Sequence, residues 1–228
     1  MLGLGNSIIG GAALEEARFS LLLDGTGDFA RTDVTEINSL TNFSVSLWFK
    51  YPSDISFSTS NNIMAAGGSA HGSRFYLQLL TATSIRIGSS GQFDDVTGLT
   101  SMAADTWHHI AVSTASTVSR LYINGVDEND ANITTSAPAS NMGSNWTIGK
   151  GITTSSFFFD GNITDVAVFD AAISSGTVTS IYNGGKPTNL VGTSNLQGYW
   201  RMTTVADSSG NGNDLTLSGD AVITEDAP

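Results

Sequence analysis

Apolar side chains recur at every second position through most of this chain. In FSVSLWFK, Phe43, Val45, Leu47 and Phe49 point one way and Ser44, Ser46, Trp48 and Lys50 the other, which is the pattern of a strand with one buried face. RFYLQLL sets Phe75, Leu77 and Leu79 against Tyr76 and Gln78, and SIRIG, WHHIAVS, SRLYING, NWTIG and ITDVAVFD continue the theme. Clusters of Gly, Asn, Asp and Ser separate these runs, and Asn124-Gly125 after SRLYI signals a two-residue hairpin turn. Helix is scarce: AAISSGTVTSIYNGG, residues 171–185, predicts one short helix with Ser174 as its cap and Gly184-Gly185 as its stop. Many short strands with regular turns predict an all-β fold, a two-sheet antiparallel jelly-roll sandwich with one short helix. No linker or internal repeat forces a second domain, so residues 17–228 are expected to form one. The first stretch, MLGLGNSIIGGAALEE, breaks the alternation and predicts an N-terminal extended arm over residues 1–16.

Composition narrows the function classes. The 228 residues are 40% hydrophobic and only 13% charged, enough for a sizeable core and the opposite of a disordered balance. A net charge of −12 repels phosphate backbones and anionic lipid, which argues against nucleic-acid and membrane-surface binding. The absence of Cys excludes disulfides and thiolate metal sites, and points towards a bacterial or viral source. The arm has no Lys or Arg ahead of its apolar residues and is broken by Gly, so it makes a poor secretory signal and is too short to span a bilayer.

Two stretches invite a metal reading. DSSGNGNDL, Asp207–Leu215, has oxygen-bearing Asp207, Ser209 and Asn211 and then Gly212 where a calcium loop of the EF-hand type wants them, but Ser218 stands where that loop needs its bidentate Glu. A turn between strands is the better reading. His108-His109 are adjacent on a strand, so their rings point to opposite faces and cannot share one ion.

Taken in order, SLLLDGTGDFA, FSVSLWFK, TWHHIAVS, SRLYINGV, WTIGK, FFFDGNITDVAVFDAAIS and SIYNGG resemble the laminin-G-like, concanavalin-A-like jelly-roll domains related to pentraxins, over roughly residues 18–185. Physically, Trp107 and Ile110 are expected to anchor one strand in the core against Leu121 and Ile123, and Gly161 to let the chain pass into the following strand. GYWRMTTVADSSGNGNDLTL is similar to a tail found beside such domains, which implies that residues 196–228 add edge strands. The resemblance also implies candidate sites. Related glucanases carry an E-x-D-x-x-E strand, which is missing here, so an enzyme is not expected. Similar domains often hold one calcium ion, for which Asp24, Asp28 and Asp165 are the candidate ligands; the alternative is that these carboxylates cap turns or accept backbone amides. Trp146 and Tyr199 could line a sugar groove, or belong to the core.

The arm carries Leu2, Leu4, Ile8, Ile9 and Leu14, a set expected either to dock on a partner chain or to pack on its own sandwich. MLGLGNSII is loosely similar to the starts of phage virion proteins. The functional expectation is therefore a non-enzymatic virion component: a capsid decoration, head-fibre or tail-associated adhesin. It would be homo-oligomeric, held to other virion proteins by the arm. The alternative is a calcium-dependent carbohydrate-binding module or bacterial surface adhesin, extracellular and free of any particle, that recognises a cell-surface glycan.

Overall fold

The alternating segments form strands because each buries its apolar side against a second layer. In this computed structural model, which describes residues 19–34, 42–57, 61–67, 74–89, 92–97, 99–116, 118–128, 145–152 and 157–228, they make two antiparallel sheets. The first runs in the order β10 (Val126–Asp127), β9 (Val118–Ile123), β8 (His108–Ala115), β3 (Asn42–Lys50), β12 (Asp160–Phe169), β1 (Ser20–Asp24) and β15 (Val222–Thr224), with β13 (Leu196–Trp200) also paired to β12. The second runs β14 (Thr216–Ser218), β2 (Phe29–Asp33), β11 (Asn145–Ile148), β4 (Asn61–Gly67), β5 (Arg74–Thr81), β6 (Ser84–Ser89) and β7 (Gln92–Thr97). The tail thus closes one edge of each sheet, β14 beside β2 and β15 beside β1. Leu21, Val45, Phe49, Leu77, Trp146 and Trp200 meet in one core between the layers. The jelly-roll sandwich expected from the period of two is what the chain forms. Residues 1–16, and with them Leu2, Leu4, Ile8, Ile9 and Leu14, lie outside the described residues.

Local chemistry explains the turns. Asn124 and Gly125 both take positive φ, 50° and 77°, as a two-residue turn between β9 and β10 requires. The helix, α1, spans Ser175–Tyr182; Ser174 Oγ accepts the Thr177 N–H at 3.1 Å, and Asn183 ends it in the left-handed conformation. Gly161 has φ +136°, and a Cβ there would stand 2.1 Å from the Lys50 carbonyl oxygen, so only glycine lets β12 lie this close to β3.

Two expectations need correction. The polar side of β3 is buried as well as its apolar side: Ser44, Ser46 and Trp48 are all closed to solvent. The reason is that α1 and the connection leading to it lie across the outer face of the first sheet. Ser44 Oγ donates to the Ala171 carbonyl at 2.8 Å and accepts the Ile173 N–H at 3.0 Å, Ser113 Oγ donates to the Ile173 carbonyl at 2.8 Å, and Trp48 stacks on Tyr182 with centroids 5.7 Å apart. Small hydroxyl side chains on a strand serve here as docking points for backbone. Trp107 is likewise not a core anchor. It precedes β8, half-buried, with its indole N–H donating to Asp226 at 3.3 Å and the Lys50 ammonium 5.3 Å above its ring. Ile110, Leu121 and Ile123 do lie in the core.

Candidate ligand-binding groove

The two sheets differ in what covers their outer faces. On the second sheet, inward Ala30 and Thr32 leave Phe29 and Arg31 of β2 facing out, level with Ser218 and Thr216 of β14 on one side and with Thr147 of β11 on the other. After β11 the chain turns at Gly149, where φ is +85° and a Cβ would come within 2.4 Å of Leu23. The turn is held by the Gly149 N–H on the Ile63 carbonyl at 2.9 Å and by Thr147 Oγ1 on the Lys150 carbonyl at 2.6 Å. It throws Lys150 back over the sheet, where its ammonium sits 4.2 Å from the centroid of Phe29 and 5.5 Å from that of Phe158. Both distances are within cation–π range. The result is a groove of about 340 Å³ lined by Phe29, Arg31, Asn145, Thr147, Lys150 and Ser218, with Gly151 and Ile152 at its margin. It contains one ring, that of Phe29, an amide, hydroxyls and two cations, and no carboxylate among the described residues.

A second groove, about 450 Å³, lies on the first sheet beside the start of α1 and is lined by Ser113, Arg120, Tyr122, Asp127, Ile173 and Ser174 among others. Its cation is spent: Arg120 pairs with Asp127 at 2.9 Å. Among the described residues neither groove holds the pair of carboxylates that glycoside hydrolysis uses.

The residues expected to form sites have other employment. Trp146 is only 1% exposed and Tyr199 0%, so neither offers a ring to a sugar and the expectation that they line a groove is corrected. Trp146 points inward from β11 because its outward neighbours are Asn145 and Thr147; Tyr199 packs under the β12–β13 corner with Phe169, Ile181 and Leu190. The three aspartates do not converge. Asp24 Oδ1 accepts the Thr26 N–H at 2.7 Å, and Asp28 accepts the N–H groups of Asp220 at 2.6 Å and Asp24 at 3.3 Å. Both therefore cap the β1–β2 turn. Asp165 lies five positions beyond Asp160, the residue paired with Asp24, which is roughly 16 Å along the strand at about 3.3 Å per residue. There it has φ 46° at the bulge where β12 changes partner from β1 to β13, and its Oδ1 accepts the Tyr199 hydroxyl at 2.7 Å. Burial, then the Asp165 carboxylate, push the Tyr199 phenol far above its ordinary range. These three residues do not fit a single calcium ion, and no group of three or more His, Cys, Asp or Glu among the described residues is arranged to hold a metal. Asp160 is raised above the usual carboxylate value by burial, then by the charges of Asp54 and Asp24, a like-charge corner rather than a built site.

The loop DSSGNGNDL is a turn, as its missing Glu suggests. Asp207 accepts the N–H groups of Tyr199, Ser209 and Asn213 at 2.9, 2.8 and 3.0 Å, while Asn211 and Asn213 donate to the Gln197 carbonyl at 3.1 and 2.9 Å. Its polar side chains thus satisfy the free edge of β13, where another strand would otherwise be needed. The two histidines point to opposite faces: His108 bonds the Ala103 carbonyl at 2.9 Å, and His109 bonds Ser46 Oγ at 2.8 Å beneath α1. Burial holds the His109 imidazole neutral, with its pKa pulled down to about 3.

Phe29, Arg31 and Lys150 were not singled out by the sequence. Alternation in FARTD places Phe29 and Arg31 on the side opposite Ala30 and Thr32, but nothing local says that Lys150 folds back over them.

Comparison with known proteins agrees with this architecture. A laminin G-type profile, described as the concanavalin A-like lectin/glucanases superfamily, matches residues 24–179. No curated protein matches the chain in sequence. Among solved structures, a native heptameric SAP-like pentraxin from Limulus polyphemus is similar with a TM-score of 0.61 at 11% identity, over 89% of this chain and 95% of that one. The CBM40 of a Ruminococcus gnavus IT-sialidase, bound to α2,3-sialyllactose, gives a TM-score of 0.52 at 13% identity, over 72% of this chain and 96% of that one. Domains LG4-5 of the mouse laminin α1 chain give 0.52 at 12% identity, over 70% of this chain and 44% of that one. At these identities the likeness is one of fold.

Proposed function

This chain belongs to the concanavalin A-like lectin/glucanases superfamily, and from that premise we propose that it is a non-enzymatic glycan-binding adhesion domain whose ligand lies in the groove over β2, β11 and β14. The observation that carries this reading is the groove itself. Pockets of about 300–1,000 Å³ with a few convergent polar groups are the usual form of a ligand site, and this one joins the side chain of Phe29 to an amide, hydroxyls and cations. Among the described residues it has no carboxylate to act as acid, base or nucleophile, which favours binding over hydrolysis.

The test is a screen of the full chain against immobilised glycans, repeated with Asn145→Trp, which fills the groove from an exposed position. Saturable binding of an uncleaved glycan, weakened at least tenfold by Asn145→Trp, supports the reading. Binding to none, or binding that Asn145→Trp leaves intact, overturns it. Because no carboxylate among the described residues lines the groove, EDTA is expected to leave this binding unchanged. Carriage of the domain on a phage particle by residues 1–16 is an extended form of the proposal that rests on the composition of the arm. Recovery of its peptides from purified virions supports that extension, and their absence overturns it.

A further inference from the structure

The charges in the groove identify the class of glycan. The chain has nine Lys and Arg residues against 21 Asp and Glu, and carboxylates claim several of the cations: Lys50 by Asp226, Arg86 by Asp95, Arg120 by Asp127. Arg31 and Lys150 form no ion pair among the described residues. Arg31 is exposed on β2, and the nearest carboxylate along that strand, Asp33, does not line the groove. Lys150 is held from below by the rings of Phe29 and Phe158, themselves 6.5 Å apart. Its long side chain is therefore already restrained, so binding an anion there costs less rotamer entropy than at a free lysine.

An unbalanced pair of cations in a protein of net charge −12 is a local exception to its field. Asp33 shares the outward face of β2 with Arg31, about 7 Å along the strand, so it weakens the pull on an anion without pairing with Arg31. Carboxylates beyond the screening length of about 8 Å repel an incoming anion only weakly, whereas Arg31 and Lys150 act at contact. Arg31 supplies a planar fork suited to carboxylate or sulfate, and Lys150 a point charge. Asn145, Thr147 and Ser218 provide polar atoms for the ring hydroxyls beside them.

Resting on the glycan-binding reading above, we infer that the groove over β2, β11 and β14 selects an anionic glycan, one whose carboxylate or sulfate group is held between Arg31 and Lys150. Carboxylate and sulfate share this chemistry, so both are probed. Titration calorimetry on the full chain compares trigalacturonate, a sulfated carrageenan tetrasaccharide and neutral galactotriose, each with the parent and with the Arg31→Gln/Lys150→Gln double variant. The expected result is at least tenfold tighter binding of one or both anionic probes than of galactotriose. That preference is lost in the double variant and kept in Arg86→Gln, which lies towards the far end of the second sheet. Thermal melting of each variant establishes that it is folded. Equal affinity for galactotriose and both anionic probes, or a preference that survives the double variant, overturns the anionic assignment; if galactotriose binding is then lost in Asn145→Trp, the glycan-binding reading still stands. Binding of none of the three overturns this inference, and the glycan screen decides the broader reading separately.

Discussion

The outer faces of the two sheets begin from the same alternation and end differently. On the first sheet the outward residues Ser44, Ser46, Trp48, His109 and Tyr122 are sealed under α1 and its connection. On the second, Phe29, Arg31, Asn145 and Lys150 stay at the surface around a groove. On a sealed face each unmet donor or acceptor costs about 1–3 kcal/mol, and most polar groups there are met from the chain itself, with Trp48 Nε1 and His109 Nδ1 left without a hydrogen-bond partner. An open face can leave its polar atoms to water or to a ligand. The contrast teaches where to look: the buried rings of Trp48 and Tyr122 lie on the sealed side, while on the open one Arg86 is paired with Asp95 and Arg31 and Lys150 form no ion pair among the described residues.

The difference can be broken most severely at Trp48, whose ring joins the first sheet to Tyr182 of α1 and packs on its cross-strand partner His109. Trp48→Ala is expected to cost about 3–5 kcal/mol, read as a lower urea midpoint. At the bulge, Asp165→Ala removes the nearer of two acceptors of a buried phenol, leaving the Thr188 carbonyl at 3.2 Å, and places Ala at positive φ; a loss of about 1–3 kcal/mol is expected. Asp165→Asn keeps an acceptor and tolerates that backbone, so it should lose less. If Asp165 held a metal instead, chelation of the parent would reproduce the loss.

His109 sharpens the contrast through pH. Its folded value of about 3 lies below the ordinary 6.5, so the unfolded chain takes up the proton first. Stability should therefore fall as pH drops from 6.5 towards 3, by up to about 1.4 kcal/mol per unit from this group. Comparing the parent with His109→Gln by urea unfolding at successive pH values isolates that slope, and identical slopes would refute it.

Asp160 should respond with the opposite sign. Its carboxyl is raised by burial and by Asp54 and Asp24, so its ionised form weakens the folded state at neutral pH. Asp160→Asn is expected to stabilise by roughly 0.2–1 kcal/mol, with a gain in melting temperature that salt diminishes. The smallest effect is expected on the open face. Arg31→Gln should change stability by under about 0.5 kcal/mol, since Arg31 has no ion pair to lose; a larger loss in thermal melts would show that it supports the fold.

Sandwich, hairpin turn and helix were legible because each depends on short-range rules. Phe43 to Phe49 alternate, Asn124-Gly125 accept positive φ, and Ser174 caps a helix of eight residues that ends at Asn183, one residue before the expected stop at Gly184-Gly185. The sites were not legible for the same reason. Asp165 in a strand looks like a ligand until the bulge is seen, and Tyr199 looks like a sugar platform until its hydroxyl is found on that same Asp165, 34 residues away in sequence. The turn role of Asp24 and Asp28 was one of two readings open from the sequence, and the backbone amides around them chose between the two.

What the sequence by itself determined is which side chains turn inward along each strand, since the period of two is a property of the extended backbone. What only the tertiary structure decided is which outward faces stay open. That depends on where α1 comes to rest and on how Gly149 aims Lys150 over Phe29, both long-range packing outcomes that no local pattern encodes.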